Sequence, residues 1–339
     1  HGVQRDQHRQ PAQRRLERHR EQRGARPQPL LPWAALALLG VGGLSGCQPP
    51  RPGTALVIAS SGRIESLDPA QASKLGEMQL LSALGDPLYS IDAAGQLRPR
   101  LATALPQLSA DGLRARIPLR RDVRFHDGSR FDAAAMAFSL ERVRAIGTLG
   151  YQLSERVKAV RVLAPDALEL QLHRPFSPLP QLLSAAFLTP VSPTAYRTHR
   201  DRPLNERFVG TGPYRLAAYS PQQQQLRPFP GYWGRRPANS GISLVTLSNS
   251  TALFGALRSG EVDLLLSNGL EIDHQQALHR EARAGRLREA IGPSFEIALV
   301  SLLSDRPPLN APLLRAAVAR SLDRVTIQRR VSLGDRKST

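Results

Sequence analysis

The sequence predicts an α/β protein with mixed sheets, and three stretches carry that prediction. Residues 113–143 read as strand, turn and helix in succession, 157–173 as a hairpin, and 242–266 as strand, helix and strand. In the first, Leu113, Ala115, Ile117 and Leu119 alternate with Arg114, Arg116, Pro118 and Arg120, the period-two pattern of a strand with one buried face. Pro118 has no amide to donate to a ladder, so this strand belongs at or near a sheet edge. His126-Asp127-Gly128-Ser129 is turn chemistry, with Gly128 free to take a positive φ. Asp132 then caps a helix, with Phe131 as its staple. Ala135, Met136, Phe138, Leu140 and Val143 supply the apolar stripe.

The remaining elements follow in order. Residues 54–59 read as an earlier strand, 60–69 as a polar loop and 77–84 as a helical stripe. Residues 92–95 and Asp111-Gly112 are turns. The hairpin alternates on both sides of Ala164-Pro165-Asp166. Residues 176–193 are apolar and interrupted by Pro178, Pro180 and Pro190, which predicts a short helix crossing the core. Gly210 and Gly212 allow a close-packed entry to a strand, where Tyr214 can plug the sheet. Tyr232 and Trp233 serve equally well as core or as cleft lining. In the last unit Asn249 or Ser250 caps the helix and Gly260 closes it. Glu261 and Asp263 read as surface charge at a helix–strand junction.

At 339 residues the chain can hold two domains with ordinary cores. Its net charge of +18 raises nucleic acid or an anionic membrane as partners. The distribution argues against both. Residues 1–50 carry eight Arg against three acids, and 315–339 carry seven basic residues against two, so more than half of the excess sits at the two ends. No basic helix interleaved with aromatics occupies the middle.

Cys47 is the single cysteine, which excludes an internal disulfide framework. Residues 30–44 form an apolar run after an Arg-rich segment, shorter than the ~20 residues a membrane span needs. With small residues after it, the run reads as a secretory signal. Leu44-Ser45-Gly46-Cys47 resembles the bacterial lipobox, which implies lipidation of Cys47. Residues 1–29, rich in Arg, Gln and His, read as a disordered basic preamble that need not be native, 30–47 as the lipoprotein signal and 48–53 as a linker.

Several spaced motifs resemble one family. Leu119, Val123, Phe125, His126, Asp127, Gly128, Ala134, Met136 and Ser139 match a signature of bacterial extracytoplasmic solute-binding proteins of family five, the peptide/nickel class serving ABC transporters. Asp122 and Ala135 depart from it at structural positions. Leu67-Asp68-Pro69, Gly210-Thr211-Gly212-Pro213-Tyr214, Gly231-Tyr232-Trp233-Gly234, Gly260-Glu261-Val262-Asp263 and Leu322-Asp323-Arg324 match further motifs of the same class. The resemblance implies a two-lobe, periplasmic-binding-protein-like fold of type II, cluster C. It places the first lobe at 54–265 with an inserted subdomain at about 75–195, and the start of the second at 266–330. That second lobe is expected to be largely missing, with 331–339 an atypical tail.

The function so implied is capture of an oligopeptide, dipeptide or related solute outside the cytoplasmic membrane and delivery to an ABC permease. The chain would act as a monomer without a cofactor, lipid-anchored at Cys47. The second reading is a non-binding envelope lipoprotein on the same scaffold. Ligand contacts are expected at Ser60, Ser61, Arg63, Tyr151, Tyr232 and Trp233, placed by resemblance and loop position. No Gly-x-Ser-x-Gly, His-Glu-x-x-His, Cys-x-x-Cys or Gly-x-Gly-x-x-Gly occurs, so no active site is expected. His126 and Asp127 lack a third ligand at usable spacing, and His126 is expected to bond within its own turn.

Overall fold

Alternation of apolar and polar residues becomes three sheets in the computed structural model, which describes residues 55–290 and 299–331. The signal run and Cys47 lie outside the described residues. The chain runs β1 (Leu56–Ser60), α1 (Leu75–Leu84), β2 (Tyr89–Ile91), β3 (Leu97–Pro99), β4 (Gln107–Leu108), β5 (Arg114–Pro118), α2 (Ala133–Ile146), α3 (Gly150–Ser154), β6 (Val157–Ala164) and β7 (Ala167–Leu172). It continues through α4 (Leu179–Leu182), α5 (Pro193–Tyr196), β8 (Tyr214–Tyr219), β9 (Gln223–Pro228), β10 (Ile242–Thr246), α6 (Ser250–Ser259), β11 (Leu264–Leu265), α7 (Ile272–Arg283), α8 (Pro312–Ser321) and α9 (Arg324–Val331).

Five strands form one sheet in the order β11-β1-β10-β9-β8. Its first three strands are parallel, and the β8–β9 hairpin adds antiparallel to β10. The expected strand–helix–strand unit is present as β10, α6 and β11, but β1 is inserted between its two strands. Asn249 provides the cap, accepting from the Ala252 N–H at 2.8 Å, and Gly260 closes the helix at φ +76°. Ala59, Leu253, Ala256, Val262 and Leu270 are buried together between this helix and the sheet.

The second sheet is antiparallel, in the order β4-β5-β7-β6. Ala115 and Ile117 of β5 are fully buried while Arg114 and Arg116 are exposed, as the alternation requires. Among the described residues the two-residue β4 is the only strand outside β5, so Pro118 sits next to a sheet edge. Asp132 caps α2 through the Ala135 N–H at 2.8 Å, and Phe131 and Met136 are both buried beside it. Gly128 takes φ +85°. A separate hairpin, β2–β3, turns on Asp92, whose carboxylate accepts from the Ala94 and Gln96 amides.

Residues 176–193 differ from expectation. Instead of one helix they form α4, a single 3-10 turn at Ala186–Leu188, and the start of α5. Pro178 and Pro180 confine the first piece to one turn, and Pro190 removes an amide donor that a continuous helix would use. Phe187, Leu188 and Val191 still reach the core. Between residues 271 and 327 no described residue is buried, and Leu313 on α8 is 86% exposed.

One ion pair ties these parts together. Asp68, in the loop after β1, is fully buried and holds the guanidinium of Arg142 on α2, itself 2% exposed, through both oxygens. Asp68 also accepts from the Ala70 and Leu204 amides, and Arg142 donates to the His199 and Arg202 carbonyls. The Tyr196 ring lies 4.9 Å from the same guanidinium. Removing one partner of such a pair strands the other charge, at roughly 3–5 kcal/mol. Arg142→Ala is expected to lower the urea midpoint accordingly. Asp68→Leu with Arg142→Met should not restore it, because the Ala70 and Leu204 amides lose their acceptor. A cost under about 1 kcal/mol for Arg142→Ala would sink this account.

Candidate functional site

In an open sheet with parallel strands, ligands bind outside the carboxyl ends of those strands. Here the carboxyl ends of β1, β10 and β11 meet. β1 ends at Ser60, whose carbonyl accepts from the Leu247 N–H beyond β10, while the Leu266 N–H beyond β11 donates to Ala59 O. The Ser61 hydroxyl donates to Asn268 O at 2.9 Å, and Gly269 follows at φ +89°. A Cβ on Gly269 would fall 2.1 Å from Ser61 Oγ, so the close approach of the two loops requires glycine. Asn268 Oδ1 is buried there without a hydrogen-bond partner.

The other flank of the loop rests on α1. Gly62 and Gly76 approach so closely that a Cβ on either lies 3.2 Å from backbone of the other. Glu77 accepts from the Ser73 and Lys74 amides as the cap of α1 and reaches the Glu65 amide at 3.4 Å. Tyr219 Oη donates to Ile64 O at 3.0 Å. Ser60 is buried, Ser61 half-buried and Arg63 exposed, which leaves one cation on a loop fixed at both ends.

The other expected contact residues lie elsewhere. Tyr232 and Trp233 are neighbours, their rings 5.5 Å apart. Both polar tips are committed to Asp86, a fully buried carboxylate that also accepts from Arg100 at 2.7 Å and Thr211 at 3.3 Å. Burial, then the Asp86 carboxylate, raises the Tyr232 hydroxyl far above its ordinary pKa. The Trp233 ring receives the Arg120 guanidinium at 4.3 Å. This cluster is a satisfied internal network that closes on the loop before the β2–β3 hairpin. Tyr151 stands 57% exposed on α3, which packs on α2 and β6. The structure thus joins Ser60, Ser61 and Arg63 in one place and Tyr232 with Trp233 in another. No sequence signal singles out Asp86, Asn268 or Tyr219 for these places, as their roles depend on partners distant in the chain.

His126 corrects a second expectation. Its partners are not in its own turn but in the glycine loop: its amide donates to Gly210 O at 2.9 Å, and Nε2 lies 3.1 Å from Gly212 O. Phe208 and Phe229 meet the ring edge to face, and Nδ1 is buried without a partner. Gly212 admits this packing because a Cβ would collide with the Gly85 amide at 2.4 Å. Among the described residues no three His, Cys, Asp or Glu side chains are grouped to hold a metal.

A nucleophile–base contact does exist. Ser250 Oγ lies 2.6 Å from His274 Nδ1, and Phe254 stacks on that ring. Ser250 is buried and already accepts from the Glu271 N–H, and no carboxylate bonds to His274 among the described residues. The pair docks α7 onto α6.

Burial lowers the His126 pKa to about 4 from an unfolded value near 6.5. Because the folded form refuses the proton, stability present above pH 6.5 is lost as pH falls towards 4, by about 3 kcal/mol in all. His126→Gln keeps a donor for Gly212 O but cannot titrate. The unfolding free-energy difference between wild type and this variant is expected to change by that amount between pH 7 and pH 4; a pH-independent difference would refute the assignment.

Residues 96–339 match the bacterial extracellular solute-binding proteins, family 5 Middle. The glutathione-binding protein GsiB of Salmonella choleraesuis is 25% identical over 293 residues, which cover 85% of this chain and 56% of that protein. The chain therefore spans about half the length of the curated relatives it matches. Among solved structures, NikA from Brucella suis in complex with Fe(III)-EDTA superposes with a TM-score of 0.72 at 23% identity, covering 84% of this chain and 57% of that one. The periplasmic binding protein DppA from Helicobacter pylori, in complex with the peptide STSA, gives 0.60 at 24%, covering 67% and 49%. The likeness to these two is one of fold.

Proposed function

The chain belongs to the bacterial extracellular solute-binding proteins of family 5, with the fold of type II periplasmic binding proteins, and from that premise we propose that it captures a small solute for an ABC importer. Oligopeptides or dipeptides are the favoured solute class. GsiB is named for glutathione and DppA is seen with a tetrapeptide, and both are short peptides. Binding is non-covalent and needs no cofactor. In this reading residues 54–265 are the first lobe, with the subdomain at about 75–195 inserted, and 266–330 begin the second. The chain is a monomer held outside the cytoplasmic membrane by a lipid at Cys47.

The observation that carries the proposal is the fixed loop Ser60–Arg63 at the joined carboxyl ends of β1, β10 and β11. It offers peptide groups, the Ser61 hydroxyl and one exposed guanidinium to a solute with an extended backbone and a carboxylate. In this reading Tyr151 on α3 and the adjoining rings of Tyr232 and Trp233, the latter shared with Arg120, are the aromatic contacts. The scaffold-only reading has no observation of its own in its favour.

The test is thermal stabilisation of the whole chain by glutathione and by the peptide Ser-Thr-Ser-Ala. At least one is expected to raise the Tm in proportion to the logarithm of its concentration. Arg63→Ala should weaken that ligand roughly tenfold, the worth of one charge-assisted bond. No stabilisation by either peptide, or equal binding by Arg63→Ala, would argue against the assignment. Separately, Cys47→Ser is expected to shift the chain expressed in bacteria from the membrane fraction to the soluble one, and an unchanged distribution would exclude the lipid anchor.

A further inference from the structure

Close packing of two loops fixes the residue that follows Asn268. A Cβ at position 269 would fall 2.1 Å from Ser61 Oγ, so the Ser61 loop admits only glycine there, and Gly269 is exposed. The chain has five asparagines, and Asn268 is the one that precedes glycine. Asn205, Asn239 and Asn249 each accept a hydrogen bond at Oδ1, from the Ser66 hydroxyl, the Tyr214 hydroxyl and the Ala252 N–H, and Glu206, Ser240 and Ser250 follow them. Asn310 precedes Ala311. Asn268 Oδ1 is buried without a partner among the described residues, so turning its carboxamide gives up no bond at that oxygen.

The peptide unit between Asn268 and Gly269 is held by one contact. Among the described residues the Gly269 N–H donates to nothing, and Asn268 O accepts only from the Ser61 hydroxyl, at 2.9 Å. The turn is closed by its neighbours, through the Leu270 N–H to Ser267 O at 3.1 Å. Swinging the unit to bring the Gly269 nitrogen towards Asn268 Cγ therefore breaks the Ser61 bond alone. The ring so formed has five members, and attack within one chain has a large advantage over a bimolecular step.

We propose that Asn268 is a site of spontaneous deamidation, gated by the Ser61 hydroxyl. Solvent hydroxide takes the Gly269 amide proton, and the nitrogen bonds to Asn268 Cγ. The carboxamide C–N bond then breaks, and the leaving nitrogen takes a proton from water to depart as ammonia. Water adds to either carbonyl of the resulting succinimide and opens it to aspartate or isoaspartate. One water is consumed and one ammonia released, with no change of oxidation state. Either product puts a carboxylate where a neutral amide stood. Isoaspartate also adds a methylene to the main chain, at a point where Ser61 and Gly269 leave no spare room. The change falls on the support of the loop Ser60–Arg63, but the inference does not rest on the transport reading.

The experiment incubates the full chain at pH 8 and at pH 5 in water enriched in heavy oxygen. Digestion in ordinary water and mass spectrometry with fragmentation that separates isoaspartate from aspartate follow. Label is expected at residue 268 at least tenfold faster than at the other four asparagines, and faster at pH 8 than at pH 5. Ser61→Ala removes the gate and should speed the reaction about five-fold, the scale of one hydrogen bond. Rates at Asn205 and Asn249 should stay as they are in that variant, which separates release of the gate from general unfolding. Labelling of Asn268 no faster than the other asparagines overturns the proposal. So does a rate that Ser61→Ala leaves unchanged, or one that rises equally at every asparagine. No solute enters the measurement, so its failure leaves the result with glutathione and Ser-Thr-Ser-Ala intact, and the reverse also holds.

Discussion

The buried pair of Asp68 and Arg142 is the constraint on which the rest of the architecture depends. Two fully desolvated charges are tolerated only when nearly every donor and acceptor is matched, and here the matching groups come from the loop after β1, from α2, and from residues 196–204. The five-stranded sheet and the antiparallel sheet therefore cannot separate without exposing an unpaired charge to an apolar surround. The pair also sets the exit of the loop that starts at Ser60, because Asp68 lies at the end of that loop. Stability and the placement of the candidate ligand loop are thus one problem solved by one contact.

The motifs that carry the family resemblance mostly bind each other. His126, from the turn before α2, hydrogen-bonds into the Gly210–Gly212 loop, and that loop packs on the end of α1 through the Gly212 N–H to Leu84 O bond. Thr211, Tyr232 and Trp233 come from two separate motifs and converge on Asp86. Such residues account for the fold, which this chain shares with proteins seen with a peptide and with a metal chelate.

The proposed ligand loop lies at the margin of this framework. The carboxyl ends of three parallel strands present a loop pinned by Asn268, Gly269 and the start of α1. Of the side chains on that loop, Ser61 is half-buried and Arg63 is exposed.

Local pattern was enough for the elements themselves. The alternation in 113–119, the Asp132 and Asn249 caps, the turn at Gly128 and the hairpin at 157–173 are near-neighbour physics, legible because each depends on residues a few positions apart. The run 176–193 departs from the single helix its apolar content suggests, because Pro178, Pro180 and Pro190 withhold amides a continuous helix needs. Tertiary structure alone decided the insertion of β1 between β10 and β11, the partnership of Asp68 with Arg142 across 74 positions, and that of Asp86 with Trp233 across 147. It also sent the polar tips of Tyr232 and Trp233 inward. No periodicity encodes such contacts: a buried charge takes whichever partner the packed elements bring within reach, and packing is settled only when the whole core is assembled.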